Sequence, residues 1–117
     1  MEYSNINEML ITRFPELKDE YEADREYYHD IPHVAYGDLF VPYIKKACRE
    51  LDMSKIERIS LFLEEMELSE DDCVNNLVGV SVIESLLLDE EAPLTVLRQH
   101  LKKETLKDVE TMENWKP

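Results

Sequence analysis

Apolar residues recur along the chain at intervals of three and four, the spacing of one face of an α-helix. Ile6, Met9 and Leu10 share a face after Ser4-Asn5, with Glu8 placed as a capping-box partner for Asn5. Phe14-Pro15 interrupts this run, because a proline inside a helix loses a backbone bond and clashes with the carbonyl four residues back. A second helix over residues 16–27 offers Leu17, Tyr21 and Ala23 to a core and reads as peripheral. Residues 28–37 hold Pro32 and two histidines and read as irregular. Asp38 is a candidate N-cap for a helix to Leu51, whose stripe is Phe40, Ile44, Ala47 and Leu51. Pro42 falls early enough in that helix to be tolerated.

Ser54-Lys55-Ile56-Glu57 has capping-box form and opens a helix that buries Ile56, Ile59, Phe62, Leu63 and Met66. After Ser69-Glu70-Asp71-Asp72 a helix runs to Leu88, apolar nearly all round, which predicts a central, buried element. Its valines also suit a strand over residues 78–83, but the length of the run and its capped start favour helix. On its wheel Asn76 and Glu84 fall among Cys73, Leu77, Val80, Ile83 and Leu87, so both are expected as buried polar groups with a bonded partner. Residues 89–92 form a turn, and Pro93 opens a last helix to Lys103 with Leu94, Leu97 and Leu101 on one face. The tail from Thr105 adds a turn or two, with Trp115 docking back. The expected fold is all-α, a compact helical bundle of two antiparallel hairpins resembling a short α-solenoid. The hairpins pair residues 38–51 with 54–66 and residues 69–88 with 93–103. One domain is expected, with residues 1–35 peripheral, 36–104 as the helical core and 105–117 as a tail.

Composition narrows the partners. Two glycines and five prolines leave little turn material for many short strands. Cys48 and Cys73 both fall in apolar segments and are expected as reduced core residues. The start Met1-Glu2-Tyr3-Ser4-Asn5 has no basic or apolar leader pattern, and no apolar run approaches the ~18 residues of a membrane span, so the expected location is the cytoplasm. The 27 acidic residues against 13 basic ones give a net charge of −14. That excludes binding nucleic acid or an anionic membrane through a basic face, and a partner met over a wide surface should itself be basic.

The acids are unevenly placed. Residues 69–93 carry seven carboxylates and no base. Glu70, Asp71 and Asp72 complement a helix N-terminus, and Asp89, Glu90 and Glu91 precede another. Glu64, Glu65 and Glu67 lie instead in a last helical turn, where negative charge is disfavoured. Glu57, Leu61, Glu64 and Glu65 share the face opposite the apolar stripe, an exposed leucine inside an acidic rim. Glu57, Leu61, Glu64, Glu65, Glu67, Asp71 and Asp72 are therefore the candidate partner-binding residues. Tyr27, Tyr28 and Tyr36 are candidate aromatic anchors.

Catalytic patterns are sparse. His29-Asp30-Ile31-Pro32-His33 fits no common zinc spacing, and Cys48 is not placed beside any of the histidines, His100 included. No phosphate-cradling glycine loop and no nucleophile elbow occurs in the sequence. No cofactor and no metal is expected, and the chain reads as a binding protein, not an enzyme. An adaptor or regulatory module for another basic protein is the first alternative, and a small metal-dependent enzyme using His29 and His33 is the second.

Phe62-Leu63-Glu64-Glu65-Met66 and the run from Asn75 to Leu86, with Phe14-Pro15-Glu16-Leu17 before them and Trp115 near the end, resemble a group of small bacterial helical proteins. These are similar to immunity proteins of contact-dependent and polymorphic toxin systems. The resemblance implies a small, acidic, cytosolic protein that binds a cognate basic toxin domain, often a nuclease, and covers its active site. It assigns no contact residue to this chain.

Overall fold

Amphipathic spacing becomes helix throughout the computed structural model, which describes residues 1–114, and no strand occurs among them. The all-α, compact helical bundle expected from the sequence is what forms. A 3₁₀ turn over Tyr3–Asn5 leads into α1 (Ile6–Arg13). Pro15 opens a second 3₁₀ turn, Pro15–Leu17, where its missing N–H costs nothing, and α2 (Lys18–Ala23) follows. The helix predicted over 16–27 breaks at Asp24, and α3 (Arg25–His29) is a separate short element. Leu17 and Tyr21 enter the core as predicted, while Ala23 stays exposed.

The stretch expected to be irregular is largely helical. α4 spans residues 32–49, built of Pro32–Ala35, a π-helical segment Tyr36–Phe40, and Val41–Arg49. Asp38 therefore lies inside a helix and is not its N-cap; Pro32 occupies the first turn instead. Pro42 has no N–H to offer the carbonyl four residues back, and the widened π turn just before it absorbs the misfit. α5 (Met53–Glu67) is capped by Asp52, whose side chain accepts from the Lys55 amide at 3.2 Å, so the cap lies two residues before the predicted Ser54.

α6 spans residues 72–87, with a second π segment, Val78–Ile83, in its middle. The helical reading of the valine-rich run holds. Its orientation does not. Asp72, Asn76, Val80, Glu84 and Leu88, four residues apart, are all exposed. In an uninterrupted α-helix each such step drifts about 40°, which would spread these positions widely. The π segment, with its wider turn, keeps them on one side. Asn76 and Glu84 are thus not buried polar groups but the marks of the solvent face. Cys73 is exposed as well, whereas Cys48 is buried, so one of the two expected core cysteines is at the surface.

The predicted helix at 93–103 shrinks to one turn, α7 (Leu94–Leu97), and the predicted tail becomes a twelve-residue helix, α8 (Lys103–Asn114). α8 packs on α5 and on the π segment of α6, while the two π segments pack on each other. Trp115 lies outside the described residues. In the centre Phe14, Tyr36, Phe40 and Phe62 are fully buried with edge-to-face and stacked contacts, and the Tyr36 hydroxyl donates to the Ile6 carbonyl at 2.7 Å. Beside this cluster, Arg58 donates to Glu16 at 2.7 Å and to the Tyr43 hydroxyl at 3.1 Å. Partial burial pushes the Glu16 carboxyl up, but hydrogen bonds from Arg58 and Tyr43 outweigh it and hold it at about 2.

α4 ends in a Schellman motif: Asp52 N–H donates to Ala47 at 3.0 Å and Leu51 N–H to Cys48 at 3.2 Å. The motif puts Leu51 at φ 52°, a left-handed conformation that suits glycine, and its side chain is 58% exposed. Leu51→Gly should relieve more strain than it adds in chain entropy, with a net gain of about 0.5 kcal/mol, read as a higher urea midpoint.

Candidate functional site

Most of the acidic residues of α5 have partners within this chain. Glu57 accepts from Lys102 at 3.0 Å, and Glu65 pairs with Arg13, whose guanidinium also lies 5.3 Å from the Phe62 ring centre. Glu64 caps α8. One carboxylate oxygen accepts from the Thr105 amide and hydroxyl, both at 2.9 Å, and the other from the Glu104 amide at 3.0 Å. Partial burial pushes the Glu64 carboxyl up, but those donors and the Lys102 charge hold it below the usual carboxylate range. A negative group near the C-terminus of α5 thus answers the positive N-terminus of α8. Carbonyls in the last turn of α5 are met separately by the Asn75 amide, which donates to Met66 at 3.0 Å and to Glu67 at 3.3 Å.

Burial, together with the neighbouring Asp108 carboxylate of α8, pushes the Glu67 carboxyl up to about 8. Asp71 caps α6, accepting from Cys73 N–H at 2.9 Å, and also accepts from Tyr3 N–H at 2.8 Å; these amides lower its carboxyl. Asp72 is exposed in the first turn of α6. Leu61 is 48% exposed on the outer face, where the wheel puts it.

The other predicted group, around Tyr27 and Tyr28, has a different character. Tyr21 is buried, Tyr28 stacks on it at 5.9 Å, and Tyr27 lies 5.2 Å from Tyr28 and is 52% exposed. The three rings form a ladder from the core to the surface. Asn7 of α1 fixes the middle rung by donating to the Tyr28 carbonyl at 3.0 Å. Burial raises the Tyr28 hydroxyl, and the carboxylates of Asp38, Asp24 and Glu20 raise it further. Asp19, Glu20, Asp24, Glu26 and Asp38 are all exposed, and among the described residues none of them makes an ion pair. Ile31, just after α3, is 50% exposed. Tyr36 belongs to the core and is no surface anchor.

The residues considered for catalysis are scattered. His29 is exposed beside Asp30 at 2.8 Å, while His33 shares a hydrogen bond with the Ser81 hydroxyl that joins α4 to α6. Among the described residues no three of His, Cys, Asp and Glu gather to hold a metal ion. Sequence reasoning missed Asn7, Ser81 and Asp108. Asn7 and Ser81 sit beside apolar stripes, a signal that was available; Asp108 reads as one more acid on an exposed helix.

In comparison with known proteins, a family model described as Domain of unknown function (DUF7674) matches residues 7–116. No curated protein and no solved structure matches the chain.

Proposed function

The chain belongs to the DUF7674 family, whose description assigns no activity, so its own surface must supply the argument, and we propose that it is an immunity-type binding protein. On this reading it is not an enzyme. It neutralises a basic protein, a cognate toxin domain such as a nuclease, by covering that domain's active site in the cytoplasm. The observation that carries the reading is the α2–α3 surface: an exposed Tyr27 braced on Tyr28, with the exposed carboxylates of Asp38, Asp24 and Glu20 acting on that pair and making no ion pair among the described residues. An aromatic anchor beside unpaired carboxylates fits a partner with lysines or arginines around an apolar or planar pocket. The long-range field of the acids speeds encounter with such a partner, and the ring supplies short-range affinity. Among the described residues no helix is long and apolar enough to cross a membrane.

The α5 face is the built-in comparison, since its acids already serve the fold. Tagged chain is used to capture partners from the native cells at low and high salt. A protein of net positive charge should be held at low salt and released at high salt, and the wild-type chain should suppress its activity. Tyr27→Ala should weaken that complex about tenfold, and Asp24→Lys should slow its formation, while Leu61→Ala leaves it intact. An acidic or absent partner, or full binding by Tyr27→Ala, would overturn the proposal.

A further inference from the structure

We propose that the outer face of α6 from Val80 to Leu88, with Gly37 of α4 beside it, is a second contact surface that takes an amphipathic helix of a basic protein. Val80 is 48% exposed and Leu88 64%, and Glu84 stands exposed between them. The two apolar side chains share one line because the π segment keeps positions four residues apart on one side of the helix. They lie roughly 12 Å apart along the axis, two helical turns. That spacing matches a partner helix with apolar residues about two turns apart and a lysine or arginine between them, opposite Glu84.

The strip beside this face is low. α4 and α6 run side by side in the same direction: His33 shares a hydrogen bond with Ser81 near one end, and Lys45 pairs with Asp89 at 2.8 Å near the other. Gly37 lies on α4 between these ties, and Ser85 lies between them on α6, one turn after Ser81. Such short side chains let a helix laid on Val80 and Leu88 approach closely. A glycine inside a helix costs stability relative to alanine. Yet neither glycine has a positive φ, and a Cβ added at Gly37 would meet nothing within 4 Å. The fold thus needs neither the freedom of Gly37 nor its missing side chain, whereas close approach by another molecule uses the gap.

Charge decides the occupant. No lysine or arginine occurs between Arg25 and Lys45 or between Arg58 and Arg98, so α6 has no cation of its own. Asp72 and Glu84, exposed on its outer face, make no ion pair among the described residues. These acids attract a basic helix at long range, and burial of Val80 and Leu88 holds it. A second copy of the chain is a poor occupant, because two chains of net charge −14 repel. Tyr27 lies on α3 and takes no part in this face, so either surface can fail without the other.

Amide NMR of the full chain, titrated with a synthetic amphipathic helix of leucine and lysine, tests the face. Shifts should gather at Gly37, Val80, Glu84 and Leu88 and fade at high salt. Glu84→Lys should weaken the peptide about tenfold, and Val80→Ser about threefold. Glu8→Lys, the same change of charge on α1, should alter affinity by less than about twofold. Gly37→Gln should raise the urea midpoint and yet weaken binding, two effects of opposite sign that a merely structural glycine does not produce. Absence of binding, full binding by Gly37→Gln, or an equal loss in Glu8→Lys and Glu84→Lys overturns the proposal. Shifts confined to α2 and α3 overturn it too, and leave the Tyr27 reading standing.

Discussion

Replacing Phe14 with alanine is expected to remove about 4 kcal/mol of stability, the largest effect of any single change considered. The ring is fully buried and lies 5.1 Å from Phe40, 5.3 Å from Tyr43 and 5.4 Å from Phe62, with the Arg58 guanidinium 5.4 Å from its centre. It joins the end of α1 to α4 and α5 at once, so no single neighbour can move in to fill the cavity. A domain of this size has roughly 5–15 kcal/mol in total, so the loss takes a large part of it. Urea unfolding should show a lower midpoint with an unchanged slope, and Phe14→Leu should recover more than half of the loss. A cost below about 1 kcal/mol would mean that the N-terminal segment is not part of the central packing.

The helical class was legible because it rests on spacing. Ile56, Ile59, Phe62, Leu63 and Met66 fall on one stripe and are all buried. What spacing alone does not carry is phase and partner. α6 is apolar nearly all round, so its wheel cannot say which side faces out; only Asn76 and Glu84 do, and they mark the exposed side. The two π segments are equally hidden, since a single widened turn leaves no residue pattern beyond Pro42 after the first and the glycines inside both. The length of α8 was missed for a related reason. Lys102, the residue before it, cannot cap a helix with a side-chain acceptor, and the acceptor comes from Glu64, far away in sequence.

The surface chemistry shows the same division. Net charge is a sum over residues and is fully readable from the chain, whereas the use of each charge depends on who stands opposite. Glu57, Glu64, Glu65 and Glu67 look alike in sequence. In space they become an ion pair with a lysine, a helix cap, an ion pair with an arginine and a carboxyl raised by burial and a neighbouring carboxylate. Tyr27 and Tyr28 stand apart because Tyr21, one helix earlier, braces them, while Asp38, Asp24 and Glu20 beside them make no ion pair among the described residues.

Glu64 separates a structural role from a binding role. Glu64→Ala should cost about 2 kcal/mol, because it strips three donors at the start of α8 of a charged acceptor. Glu64→Gln should cost about half as much, keeping one acceptor oxygen and losing the charge that meets the helix N-terminus. The sign with pH follows from the lowered carboxyl. The wild-type advantage over Glu64→Ala is full above the ordinary carboxylate range and shrinks as pH falls and Glu64 takes up a proton. Urea unfolding at neutral and acid pH reads both effects. Affinity for a basic partner completes the argument, since a residue that caps α8 should change stability and leave binding through Tyr27 untouched. Loss of binding at unchanged stability would instead put Glu64 in the interface and move the partner from α2 and α3 to the α5 face.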